Sequence, residues 1–141
     1  MNVRNEIKNR LLELGIKPSV QRMAIMEYLT VNPVHPTVDT IFNALYASIP
    51  TLSKTTVYNT LKLLSDQGAI CALNIDEKNM RYDADISRHA HFKCKNCRNV
   101  FDLKTQGVDS IIIENEDKFV IKEAHFYFTG YCQNCKNIID N

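Results

Sequence analysis

The sequence has no tryptophan, only four glycines and four prolines, and almost no net charge: 17 lysines and arginines oppose 16 aspartates and glutamates, a formal +1. Near-neutrality removes the strongly basic composition by which a nucleic-acid partner usually declares itself. No apolar run approaches the ~18 residues of a helical membrane span, which excludes one. The opening Met-Asn-Val-Arg-Asn-Glu carries no apolar signal segment, so we expect a cytoplasmic location with reduced thiols.

The few prolines are unevenly placed. Pro18, Pro33, Pro36 and Pro50 all fall in the first 50 residues, each where an apolar periodicity breaks, and so punctuate helices. Val3, Ile7, Leu11 and Leu14 recur at helical spacing and stop at Gly15. Ser19 is the expected N-cap of a second helix that carries Ile25, Met26 and Leu29 to about residue 31. A third begins at Thr37 and turns Val38, Ile41, Phe42 and Leu45 inward. A fourth starts after Ser53, buries Val57, Leu61 and Leu64, and ends at Gly68. Cys71, Leu73 and Ile75 then alternate, Asp76-Glu77-Lys78-Asn79 turns, and Met80 and Tyr82 alternate again, which predicts a β-hairpin.

Helices followed by a hairpin predict a winged helix-turn-helix, whose last helix enters the DNA major groove. Outside the apolar stripe of the fourth helix lie Lys54, Thr55, Thr56, Tyr58, Asn59 and Lys62, groups suited to phosphates and base edges and equally to a solvated face. Threonines and an exposed aromatic are poor choices for solvation alone. The charge balance leans weakly the same way: residues 1 to 65 hold seven Lys or Arg against four Asp or Glu, and residues 81 to 141 hold nine of each.

The chain changes character near residue 84, so we expect domains at 1–83 and 84–141. Strands are expected at Ala90 to Lys93, Asn99 to Leu103 and Phe119 to Thr129, with a helix through Val108, Ile111 and Ile112 between the last two. The fold class is therefore α+β, a winged helix followed by a small α/β unit. The aromatic run Phe126, Tyr127 and Phe128 can bury a face against a second copy of the chain.

Cysteine supplies the clearest chemical pattern. Of five, four form two CxxC turns, Cys94 with Cys97 and Cys132 with Cys135, the arrangement of a closed structural zinc site with four thiolates. A redox CxxC belongs near a βαβ pattern, which is absent, and disulfides need an oxidising compartment. The 34-residue spacer between the pairs is long enough that a small subdomain must fold within it. Cys71 reads as a buried apolar residue. His89 and His91, two apart in an expected strand, project to one face. With harder donors nearby in sequence at Asp83 and Asp102, they suit Fe(II), Mn(II), Co(II) or Zn(II) alike. His125 reads as a strand histidine rather than a ligand.

Several segments, in this order and with the two CxxC pairs, resemble the ferric uptake regulator family over nearly the whole chain. They are Gln21-Arg22 with Ala24-Ile25, His35-Pro36-Thr37-Val38, Ser53 to Leu61 (Ser-Lys-Thr-Thr-Val-Tyr-Asn-Thr-Leu), Arg81-Tyr82-Asp83 and His89-Ala90-His91-Phe92-Lys93-Cys94. The resemblance implies an N-terminal winged helix hinged to a C-terminal dimerisation domain. It also implies a homodimer that acts as a metal-dependent repressor on a double-stranded DNA operator, and not an enzyme.

Within the family the chain is most similar to the peroxide-sensing repressors. Their regulatory ligands fall on His35, Asp83, His89, His91 and Asp102, and His35 enters only through this resemblance. Asp102 stands where iron sensors generally carry Glu, and Asn59 after Tyr58 where they more often carry Arg. The resemblance further implies regulatory Fe2+ or Mn2+ beside structural Zn2+, oxidation at His35 and His89, Tyr58 and its neighbours in the major groove, and Lys17 near the minor groove. A sibling sensor of iron, zinc, manganese or nickel availability would use the same residues reversibly. A zinc hydrolase or deaminase would need an acid-base Glu beside an open zinc position, whereas His89 is followed by Ala90 and neither CxxC follows proline. A zinc-stabilised interaction module with a degenerate winged helix is the remaining alternative.

Overall fold

Local side chains set the helix limits. Asn2 caps α1 (Val3–Glu13), Ser19 caps α2 (Val20–Val31), Thr37 caps α3 (Val38–Leu45) and Ser53 caps α4 (Lys54–Asp66). Each side-chain oxygen accepts a backbone N–H of the first turn. α1 and α4 end alike: Gly15 and Gly68 take φ of 75° and 81°. The next amide reaches back across the turn, Ile16 to the Leu11 carbonyl and Ala69 to the Leu64 carbonyl, each at 2.8 Å. All four helices expected in the first 68 residues are present.

The computed structural model describes residues 2–76, 78–87, 89–107, 111–121 and 124–137. It divides into two compact units, Met1–Ile86 and Ser87–Asn141. In the first, α2 packs against α1, α3 and α4. Ile7, Leu11, Ile25, Leu29, Ile41, Val57, Leu61 and Leu64 fill the interior between them. Strands β1 (Cys71–Leu73) and β2 (Arg81–Asp83) then pair antiparallel, with Cys71 opposite Asp83 and Leu73 opposite Arg81, as the wing of a winged helix. Tyr82 turns from β2 into the helical core. Burial lifts its phenol above the ordinary 10.0, and the neighbouring Tyr58 phenol adds to the rise.

The second unit is a three-stranded sheet ordered β4-β3-β5, from β3 (Ala90–Cys94), β4 (Val100–Leu103) and β5 (Tyr127–Gly130). β4 runs antiparallel to β3 and β5 parallel to it. Two expectations fail here. The helix through Val108, Ile111 and Ile112 is not formed where it can be followed: Val108 lies outside the described residues, and 111–113 take no regular structure. Among the described residues, the strand from Phe119 to Thr129 exists only from Tyr127; Phe119, Val120 and Ile121 are irregular and exposed. Short β-branched runs are apolar enough for either element, and neither forms without a surface to bury it. Among the described residues no helix is long and apolar enough to cross a membrane.

A Cβ added at Gly68 would meet nothing within 4 Å, so substitution there acts through the backbone alone. Gly68→Ala should cost about 1 kcal/mol, Gly68→Val more and Gly68→Asn least, in urea unfolding followed by helical circular dichroism. Equal losses for all three would mean that φ is not the controlling variable.

Candidate metal centres

The two CxxC turns of the second unit bring four sulfurs together. One ligand atom from each of Cys94, Cys97, Cys132 and Cys135 lies within 4.8 Å of all the others, and the Cys97 and Cys132 sulfurs are 3.8 Å apart. Thiolates about 2.3 Å from a tetrahedral zinc have edges of about 3.8 Å, so the set fits that ion. Each pair is wound by its own backbone: the Arg98 amide reaches the Cys94 carbonyl at 3.0 Å, and the Lys136 amide reaches that of Cys132 at 2.8 Å. Around the sulfurs, the amides of Cys97 and Cys132 donate to Cys94 Sγ at 3.5 and 3.4 Å, and Asn96 Nδ2 donates to Cys135 Sγ at 3.3 Å. Asn96 was not singled out from the sequence, although an amide inside a CxxC turn is well placed for this support.

The thiol acidities show what the cluster costs. Burial pushes Cys94 up, but N–H groups of Cys132, Cys97 and Asn96, helped by the Cys97 side chain, prevail and bring it down to about 6. At Cys97 the Asn99 amide favours the thiolate, yet burial and the sulfurs of Cys94, Cys132 and Cys135 prevail and push it up to about 11. Cys135 is also raised: the Asn96 side chain favours its thiolate, and burial with the Cys132 and Cys94 sulfurs outweighs that. Sulfurs this close oppose one another's ionisation. A divalent cation lets all four ionise.

The histidines and aspartates form two further groups, one in each unit. In the second unit His91 on β3 stands directly opposite Asp102 on β4. His89 Nε2 and His91 Nε2 lie 3.2 and 3.3 Å from the same oxygen, Asp102 Oδ1, with ring centroids 4.3 Å apart. His89 Nδ1 is 2.8 Å from the Ser87 carbonyl, which only a protonated Nδ1 can satisfy. That leaves its Nε2 lone pair aimed at a carboxylate, an arrangement that calls for a second proton or a metal cation. Two imidazoles and one carboxylate converging in this way suit a first-row divalent metal.

In the first unit His35 Nε2 lies 3.3 Å from Asp83 Oδ2, both residues being buried. The other carboxylate oxygen accepts the Asp85 amide at 2.9 Å, so Oδ2 is the one turned to the imidazole. His35 has φ of 56°, a left-handed conformation that costs a non-glycine residue about 1 kcal/mol. Sequence spacing gives no sign of that conformation.

On α4, Tyr58 is half exposed, and Thr55 and Asn59 are exposed beside it. Thr56 is engaged in the cap, accepting from the Ser53 hydroxyl at 2.9 Å. Lys54 is 3.2 Å from Asp39, and Lys62 is 3.1 Å from Asp66. Such exposed pairs are weak enough to exchange for phosphate. Lys17 is exposed two residues ahead of the α2 cap, where its carbonyl accepts from Arg22 Nη1 at 2.8 Å. Cys71 lies on β1, in the other unit from the sulfur cluster, and is partly exposed where the sequence predicts burial. His125 precedes β5, its Nδ1 3.1 Å from the Tyr127 hydroxyl.

The sequence pattern of the ferric uptake regulator family matches residues 13–129. The peroxide operon regulator of Bacillus subtilis is 33% identical over 132 residues, covering 92% of this chain and 91% of that protein. Among solved structures, the ferric uptake regulator of Helicobacter pylori superposes with a TM-score of 0.74 at 18% identity, over 96% of this chain and 95% of the other. The PerR of Streptococcus pyogenes, whose structure concerns peroxide sensing and gene regulation, has a TM-score of 0.54 at 27% identity, over 96% and 94%.

With zinc on the four clustered sulfurs, only Cys71 should react readily with a thiol reagent in the native protein. One zinc should be released per chain as the other four become reactive. Cys71→Ser should keep the zinc, whereas Cys97→Ser should lose it together with the near-ultraviolet signal of the second unit.

Proposed function

Because the chain belongs to the ferric uptake regulator family of metal-responsive repressors, we propose that the signal it reads is hydrogen peroxide, through iron-dependent oxidation of its own histidine ligands. The observation that carries this reading is the convergence of His89 and His91 on one oxygen of Asp102, a nitrogen and oxygen donor set without sulfur. The similarity to a peroxide operon regulator supports peroxide over metal availability as the signal. In this reading His35 and Asp83 of the first unit and His89, His91 and Asp102 of the second serve one regulatory ion, Fe(II) or Mn(II). The four cysteines hold zinc.

Fe(II) held by these residues would pass one electron to hydrogen peroxide and regain one from the attacked ring, so that the imidazole supplies both electrons and loses its C–H proton. The imidazole of His35 or His89 takes up one oxygen atom from the peroxide, and the other oxygen leaves as water. An oxidised imidazole is a poor ligand, so the donor set fails and the repressor leaves its operator. DNA contact is assigned to Tyr58, Thr55, Asn59 and Thr56 on α4, with Lys54 and Lys17 on phosphates. The exposed Phe101, Ile111, Ile112, Phe119, Val120 and Phe128 of the second unit support burial against a second copy. A homodimer would present two copies of α4 to paired half-sites on double-stranded DNA.

Protein loaded anaerobically with Fe(II), or with Mn(II), and then given a small excess of peroxide should differ in one respect. Only the iron form should gain one oxygen on His35 or His89, in step with loss of DNA binding. Trypsin releases His89 to Lys93 as one peptide holding both His89 and His91, so fragment ions must assign the site. Intact histidines with DNA binding retained would move the protein to the sensors of metal availability.

A further inference from the structure

β2 is three residues long, and each of them holds the segment that carries His35. Asp83 faces the His35 imidazole at 3.3 Å, the Tyr82 amide donates to the Pro36 carbonyl at 3.1 Å, and Arg81 Nη1 donates to the His35 carbonyl at 3.2 Å. The other two nitrogens of the Arg81 guanidinium point the opposite way. Nε and Nη2 donate to Asp76 Oδ2 at 3.3 and 3.1 Å, with the Arg81 side chain 19% and that of Asp76 3% exposed. Asp76 Oδ1 in turn accepts the Lys78 amide at 3.0 Å. One rigid, planar cation thus joins the carbonyl of a proposed metal ligand to the carboxylate that shapes the tip of the wing, where Lys78, Asn79 and Met80 are exposed.

We propose that Arg81 is a positioning residue that couples occupancy of the regulatory metal ligands to the shape of the DNA-facing wing loop. The element with two states is the His35 backbone. Its φ of 56° is strained and persists while surrounding bonds hold it. A metal on the imidazole keeps the carbonyl directed at Nη1. When the imidazole is released, the backbone relaxes toward negative φ, its carbonyl leaves Arg81, and the Asp76 to Lys78 turn loses its brace. The wing then presents Lys78 less well to a phosphate. Lysine cannot replace Arg81, because an ammonium cannot bond both sides with fixed geometry. This inference rests on the metal-dependent reading of His35 and Asp83, and is independent of whether peroxide is the signal.

The test uses full-length, zinc-containing protein, Mn(II), and a duplex selected by the wild-type protein from a random pool. Mn(II) should raise wild-type affinity for the duplex, the duplex should raise affinity for Mn(II) by the same factor, and Mn(II) should slow hydrogen exchange at Lys78 and Asn79. In Arg81→Lys the mutual factor should fall by about tenfold or more, while Mn(II) affinity without DNA changes by no more than about threefold. Removing one partner of a buried pair can unfold a protein. The double variant Asp76→Leu with Arg81→Met leaves no unpaired charge and should show the same loss. An undiminished factor in both variants, or failure of both folded variants to bind Mn(II) at all, overturns the coupling. Absence of any Mn(II) effect in the wild type overturns the metal-dependent reading along with it.

Discussion

Four sulfurs that cannot all be ionised without a cation between them are the constraint from which the second unit follows. Its apolar interior is small: among its described residues the buried hydrophobic side chains are Ala90, Val100 and two of the cysteines themselves, Cys94 and Cys135. A unit of this size with so little to remove from water does not offset the conformational entropy of its own chain. Metal ligation by the four cysteines would supply the missing stabilisation, because sites of this kind form only in the folded state and their binding free energy becomes folding free energy. The first unit needs no such help. Its interior is continuous from Ile7 to Tyr82 and is drawn from all four helices.

That difference also explains what could be read from the sequence. In the first unit the causes are local: a hydroxyl or amide caps the start of each helix and a glycine ends α1 and α4, so the helices and the wing are legible in the sequence. In the second unit the causes are distant. The parallel pairing of β3 with β5 joins segments more than thirty residues apart, and nothing in either strand names its partner. The run from Ile111 to Ile113 is apolar without periodicity and supports no regular element. The CxxC spacing is local chemistry and was legible, as was the shared face of His89 and His91. His35 was not: its left-handed backbone and its bond to Arg81 depend on residues nearly fifty positions away.

The two histidine and aspartate groups are built differently, and the difference suits a sensor. His91 and Asp102 sit opposite each other on paired strands, where backbone hydrogen bonds hold them. His35 is held by side chains and by a strained backbone. A donor on a regular element is hard to displace, whereas one in a strained loop leaves readily. In the proposed cycle the loop ligands, His35 in the first unit and His89 ahead of β3 in the second, are therefore the responsive ones, and His91 and Asp102 on the paired strands are the permanent ones.

β3 imposes a condition on how this chain can vary. Within five residues it places His91 on one face and Cys94 on the other, with Phe92 and Lys93 between them. An insertion or deletion of one residue in that interval would leave the sulfur in its cluster but turn the histidine away from Asp102, because successive strand residues face opposite sides. Substitutions at Phe92 or Lys93 are a matter of packing, but the count of residues there is not free. Length, more than identity, is the conserved quantity to look for in this interval when sequences of this kind are aligned.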